Sequence, residues 1–327
     1  MYINMTHLLS LTEDCAPTRL NNKGKQKDPN TCYSYTSLKE LSRFINEDQA
    51  IPNKINTNDF SYEHKNHLLK EVRDALKPVC ENKHEMCWAD RYKDQISIYT
   101  SDFTYKPPHS KKPHDWLSNL DIDSAMEQIE NYIYEQKNFK LFKYLRCESI
   151  DFQVYLEEER LDLVPMVKQG YRRFAMVVNT SKRKKAGQHW ICFYFDIFPE
   201  KNRIVFYFFN SSGRPPTQEI IDYKKRVFAD FKVLGYNDFE TKINKIKVQF
   251  QNSECGTYCL LFISSLILEN YKTKSNYNGL NEFEITISSL VDDQQTNKLR
   301  SLFFSPFKGY HFQRRHVPGH CVDEKCD

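Results

Sequence analysis

The chain has 327 residues, 10 cysteines and a formal charge of +4 from 47 basic and 43 acidic side chains. That length accommodates one core-forming domain with an accessory region, and so mild a charge does not by itself imply nucleic acid as a partner. The cysteines are too sparse for a disulfide scaffold, which fits a reducing compartment.

The N-terminal segment from Met1 to Ser10 is not followed by a signal-like run of small residues. Residues 16–35 are polar, with scattered Pro and Asn. Leu38 to Ile45 and Tyr62 to Leu76 then show helical spacing, with Leu68, Leu69, Val72 and Leu76 on one stripe. These predict a small helical accessory domain, or arm, over residues 1–105. Cys80 and Cys87 flank His84, and two free thiols in a loop are favoured over a metal set. Tyr105-Lys-Pro-Pro108 reads as an extended linker. A catalytic core is expected over 106–304 and a tail over 305–327.

Within the core, Lys182-Arg-Lys-Lys185 is a short basic loop, read as solvated surface with a weak polyanion or DNA contact as the lesser alternative. Trp190 to Ile197 and Arg203 to Phe209, rich in Val, Ile and aromatics, are predicted strands joined by a turn over Phe198-Pro199-Glu200-Lys201-Asn202. His189 and Asn210 are equidistant from a fold point between Pro199 and Glu200, so antiparallel pairing brings them side by side. Asn210 there would accept a hydrogen bond from the imidazole and aim its other nitrogen. Asp196 is the rival orienter, but an extended strand puts it about 23 Å from His189 at ~3.3 Å per residue, so it is rejected.

Gln249-Phe-Gln-Asn-Ser-Glu-Cys255-Gly256-Thr-Tyr-Cys259 runs from a polar loop into an apolar helix. Unpaired N–H groups at a helix start, together with the helix dipole, favour a thiolate, so a depressed Cys255 pKa is expected. Cys255 is then a candidate nucleophile and His189 its base, with a side-chain amide at Gln249, or at Gln251 or Asn252, as oxyanion donor. Each residue alone has an ordinary packing explanation; their joint order favours chemistry. Cys259 and Cys192 are expected to be core thiols, and Trp190 and Gly256 are read as parts of a substrate groove. The longest apolar run, Tyr258 to Leu268, is interrupted by serines and falls short of the roughly 18–20 residues that span a bilayer. His316, His320, Cys321 and Cys326 in the tail match no common zinc spacing. No metal and no cofactor are expected.

His189-Trp190, the run Phe209-Asn210-Ser-Ser-Gly213-Arg-Pro-Pro216, and Gln249 six residues before Cys255-Gly256 resemble the active-site blocks of the adenain and SUMO-protease clan of cysteine proteases. The resemblance includes the polyprotein-processing enzymes of African swine fever virus and other large DNA viruses. Trp116-Leu-Ser-Asn-Leu-Asp-Ile-Asp123 resembles the helix opening the family's core, and Ile285 to Phe303 its closing helix, so about residues 110–304 are covered. The resemblance implies an α+β, papain-like or adenain-like fold with a central twisted sheet flanked by helices. It makes Cys255 the nucleophile, His189 the base, Asn210 the orienter and Gln249 the oxyanion donor. Many members carry Asp where this chain has Asn210. The implied substrates are viral structural polyprotein precursors cut after Gly-Gly-Xaa sites during virion maturation, in the host cytoplasm (the viral factory) and the virion. The alternatives are an isopeptidase for a ubiquitin-like modifier such as SUMO, and an inactive binding module.

Overall fold

A computed structural model describes residues 15, 31–33, 35–56, 65–80, 85–92, 106–107, 115–137, 141–156, 161–272 and 292–304. The tail from Ser305, His84, and the expected linker apart from Lys106 and Pro107 lie outside the described residues. The chain divides into two compact units, one of Tyr33–Asp102 with Phe307–Asp327, the other of Met1–Cys32 with Phe103–Pro306.

The smaller unit contains α1 (Tyr35–Glu47), α2 (Lys65–Cys80) and α3 (Met86–Arg91). Leu38, Leu41 and Ile45 of α1 and Leu68, Leu69, Val72 and Leu76 of α2 are buried, the stripe that their three- and four-residue spacing dictates. Asn46 closes the following loop by exchanging two 2.7 Å hydrogen bonds with the Ile55 backbone. Cys80 and Cys87 form a disulfide, not the expected pair of free thiols, because the end of α2 and the start of α3 bring their Cα atoms to 6.0 Å. In the other unit Cys15 and Cys32 are likewise joined.

Among the described residues, the first helix of the larger unit is α4 (Asn119–Lys137), whose start is written in Ser118-Asn-Leu-Asp121. The Ser118 hydroxyl and backbone N–H both donate to Asp121 Oδ2, and Asp121 N–H donates back to Ser118 Oγ, a capping box. Then follow β1 (Phe142–Ser149), the short helices α5 (Phe152–Tyr155) and α6 (Leu163–Lys168), β2 (Arg173–Asn179) and β3 (Trp190–Phe198). After a 3-10 turn at Pro199–Lys201 come β4 (Arg203–Phe209), α7 (Gln218–Val233), β5 (Asp238–Ile243), α8 (Cys255–Lys272) and α9 (Asp293–Leu299).

The sheet order is β1-β2-β3-β4-β5, parallel at both edges and antiparallel through the centre. Its central strands read as unbroken apolar runs because both faces are covered. Trp190, Cys192 and Tyr194 of β3, with Val205, Tyr207 and Phe209 of β4, join the core shared with α4 and α8. Ile191, Phe193 and Phe195, with Ile204, Phe206 and Phe208, join the core shared with α7. The alternation is the period-2 geometry of a strand. The fold is α+β, with helices on both faces of a mixed sheet.

The β3–β4 register differs from symmetric folding about Pro199–Glu200. Phe193 pairs with Phe208, where symmetry would give Phe206. Asn202, in the left-handed region at φ 49°, ends the 3-10 turn and moves the fold point towards Lys201.

Candidate active site

His189 stands where the β2–β3 ladder ends: its carbonyl accepts a hydrogen bond from Thr180 N–H at 2.9 Å. Asn210 is the first residue after β4 and is 5% exposed. His189 Nε2 lies 2.8 Å from Asn210 Oδ1, so the side-by-side placement is present despite the shifted register. Asn210 Oδ1 also accepts from Ser212 N–H at 3.0 Å and Ser212 Oγ at 2.7 Å. The backbone donor fixes that atom as the oxygen. An acceptor facing Nε2 requires the proton there, so the neutral imidazole has its lone pair on Nδ1. Asp196 is far down the strand, paired with Arg173 at 3.4 Å.

The turn that carries Asn210 is tight. Gly213 N–H donates to the Asn210 carbonyl at 2.8 Å, and Asn210 N–H donates to Asn244 Oδ1 at 2.8 Å. Gly213 has φ +72°, and a Cβ there would lie 2.9 Å from Lys247 N and 3.0 Å from Lys245 O. Only glycine fits both the conformation and the approach of the 245–247 backbone.

Cys255 is the first residue of α8 and is 1% exposed. Burial pushes its thiol up to about 12, against hydrogen bonds from the backbone N–H groups of Trp190, Gly256 and Cys255 itself that pull it down. The expectation of a depressed pKa therefore does not hold: desolvation outweighs the helix N-terminus. The Trp190 contact also brings the neighbour of His189 to the sulfur. His189 is itself held below the ordinary imidazole value, mainly by burial and also by Arg214, with the Asn210 hydrogen bond acting the other way. Burial thus disfavours the charged form of both the thiol and the imidazole.

Gln249 is 6% exposed. Its Oε1 accepts from Ser211 Oγ at 2.6 Å and its Nε2 donates to the Gln251 carbonyl at 2.8 Å, which leaves one amide hydrogen outside these two bonds. Gln251 and Asn252, the alternatives for that role, are exposed. Trp190 is 7% exposed and its indole N–H donates to the Leu117 carbonyl at 2.9 Å. A Cβ on Gly256 would lie 3.1 Å from the Leu117 Cβ and 3.3 Å from Ile122 Cδ1. The structure thus seats Trp190 and Gly256 within the α4–α8 packing, with the Trp190 backbone at the thiol. Cys192 and Cys259 are buried core thiols.

Several supporting residues carry no pattern in the sequence. Asp293 Oδ2 accepts from the Phe250 and Gln251 N–H groups at 2.8 and 2.7 Å, and its Oδ1 lies 3.1 Å from the Tyr258 hydroxyl. Glu254 is fully buried, accepting from Ser253 N–H at 3.0 Å and Asn297 Nδ2 at 2.7 Å. Arg300 donates to the Asp115 and Ser253 carbonyls at 2.7 and 2.8 Å. Ser211, fully buried beside Asn210, is marked in the sequence only by that adjacency.

Among the described residues no cluster of His, Cys, Asp and Glu could hold a metal, and no helix is long and apolar enough to cross a membrane. A buried thiol, an imidazole with Nδ1 unprotonated and an amide donor are the groups that thiol-based acyl transfer uses.

The family model of the adenovirus endoprotease matches residues 165–301, a span that holds His189, Asn210, Gln249 and Cys255. A protein of Acanthamoeba polyphaga mimivirus named as a thiol protease is 24% identical over 312 residues, covering 89% of this chain and 92% of its own length. The SUMO-1 cysteine protease of African swine fever virus is 23% identical over 209 residues, covering 61% of this chain and 71% of its own. The crystal structure of an African swine fever virus protease superposes with a TM-score of 0.56 at 19% identity, over 90% of this chain and 96% of that one, which shows a shared fold. Family model, relatives and fold converge: this chain is a cysteine-type peptidase, akin to the adenain and SUMO-protease enzymes and to the thiol proteases of large DNA viruses.

Proposed function

We propose that the chain is an endopeptidase that cuts viral structural polyprotein precursors after Gly-Gly-Xaa sites, with Cys255 as nucleophile, His189 as base, Asn210 as orienter and Gln249 as oxyanion donor. The observation that carries the chemistry is the 2.8 Å bond between His189 Nε2 and Asn210 Oδ1. It reserves Nδ1 for the thiol proton. On substrate binding Nδ1 takes that proton and the sulfur attacks the scissile carbonyl. The free amide hydrogen of Gln249 and the N–H of Cys255 hold the resulting oxyanion, and one such donor typically contributes about 3 kcal/mol to the transition state. His189 then protonates the leaving amine, and water releases the acyl group from the sulfur.

Glycine at the cut is supported by the burial of the nucleophile. With Cys255 only 1% exposed, a substrate backbone without side chains approaches the sulfur most closely. The same argument serves a ubiquitin-like modifier ending in Gly-Gly, and a viral relative is named a SUMO-1 cysteine protease. The precursor reading brings with it a place of action, the host cytoplasm at the site of assembly and the virion. The test is parallel incubation with structural precursors and with SUMO conjugates, using the wild type and the Cys255→Ala and His189→Ala variants. Precursor cleavage lost in both variants is expected. Cleavage of conjugates alone would replace the substrate, and cleavage by Cys255→Ala would remove the nucleophile.

A further inference from the structure

We infer that Ser211 is the positioning residue of the oxyanion donor: its hydroxyl holds the Gln249 side chain so that one amide hydrogen is aimed at the reacting carbonyl. The inference rests on the reading of Gln249 given above and concerns how that residue is made effective.

Four hydrogen bonds support it. The Ser211 carbonyl accepts from both Val248 N–H at 2.9 Å and Gln249 N–H at 3.0 Å, which fixes the backbone of the donor. The Ser211 hydroxyl donates to Gln249 Oε1 at 2.6 Å, which fixes the side-chain oxygen. The Gln251 carbonyl takes one Nε2 hydrogen at 2.8 Å and would repel Oε1, so it fixes the sense of the amide. Two anchors on opposite ends of a planar group define its plane, and the remaining hydrogen then has a single direction. Ser211 is fully buried, so water does not replace its hydroxyl. A donor fixed before the reaction needs no reorientation when charge develops, and this is the source of an oxyanion site's strength. Ser211 also follows Asn210 directly, inside the turn closed by Gly213 N–H on the Asn210 carbonyl. One turn therefore aims the imidazole with one residue and the oxyanion donor with the next.

The test is a double-mutant cycle on the full chain with a cleavable peptide. Ser211→Ala should lower kcat roughly tenfold with little change in KM, as expected for a weakened transition-state donor. Combining it with Gln249→Ala should give no loss beyond Gln249→Ala alone, a result that a merely structural role would not produce. A peptide aldehyde, which becomes tetrahedral on the thiol, should lose affinity in step with kcat. Ser211→Cys, which keeps the shape and offers a weaker donor, should fall between wild type and alanine; it carries the same comparison if the alanine variant does not fold. Additive losses in the double variant, or full kcat in Ser211→Ala when Gln249→Ala is impaired, overturn the inference. Full kcat in Gln249→Ala would instead remove the donor itself, and the role of Ser211 with it.

Discussion

The two halves of the proposed site are held by different physics. His189 continues a backbone ladder at the end of β2 and β3, with Thr180 N–H on its carbonyl, above strands whose side chains are buried on both faces. Gln249 and the approach to Cys255 lie in the 244–254 segment, where Asp293 accepts from the Phe250 and Gln251 N–H groups, Arg300 donates to the Ser253 carbonyl and the Ser211 carbonyl accepts from Val248 and Gln249 N–H. Hydrophobic burial places His189 through the sheet, and polar groups far apart in sequence place Gln249. The first arrangement tolerates the loss of one contact better than the second, since a network member removed leaves buried partners unpaired. The turn over Asn210–Gly213 joins the halves.

The largest effect should come from the joint itself. Asn210→Leu is expected to lower kcat/KM on the order of a hundredfold or more, because nothing then selects the imidazole tautomer. Asn210→Asp should keep most activity while its acid limb moves to higher pH, as a carboxylate favours the imidazolium. Equal pH–rate profiles for the two variants would separate Asn210 from His189. Next, Asp293→Ala should cost about 2 kcal/mol in urea unfolding, since the Phe250 and Gln251 N–H groups lose their acceptor, while the Tyr258 hydroxyl keeps the Val248 carbonyl at 2.9 Å. It should lower kcat without moving the acid limb, and a moved limb would show that the halves are not independent.

Gly213→Ala is expected to cost about 1–2 kcal/mol from its left-handed backbone, with lower kcat as the 245–247 segment is displaced. A variant with wild-type melting and kcat would mean that the turn yields freely. The smallest effect concerns charge. The base must be neutral, so kcat/KM rises as pH climbs through the His189 pKa, which lies below its ordinary value of about 6.5. Burial lowers that pKa most, and Arg214 lowers it further. Arg214→Gln should therefore shift the acid limb to higher pH, more at low salt than at high salt. A limb that stays put would leave burial as the whole cause.

The sheet half was the more legible in sequence for the same reason that it is robust. Aromatic and β-branched runs of strand length announced Trp190–Ile197, one residue short of β3, and Arg203–Phe209, and an apolar run after a polar loop announced α8 at Cys255. Folding the hairpin put His189 near Asn210 even with the register displaced, because both lie beyond the ladder, where a shift is absorbed. Ser211, Asp293 and Arg300 were not legible. Their partners are chosen by tertiary approach, and a single polar residue has no period to betray it. The Cys80–Cys87 disulfide escaped because a helix end and a chain reversal, not composition, bring the two together. The thiol pKa was misjudged because a helix start can be read from sequence and the depth of its burial cannot.

That burial has a consequence for the lifetime of the enzyme. It is the thiolate that attacks peroxide and disulfides, and at neutral pH a thiol raised to about 12 is almost wholly protonated. The resting peptidase is thus chemically quiet, its sulfur shielded from the oxidants that inactivate exposed thiolate enzymes. Dilute peroxide should consume activity slowly in the free protein, and rapid loss would show that the thiol is ionised before substrate arrives.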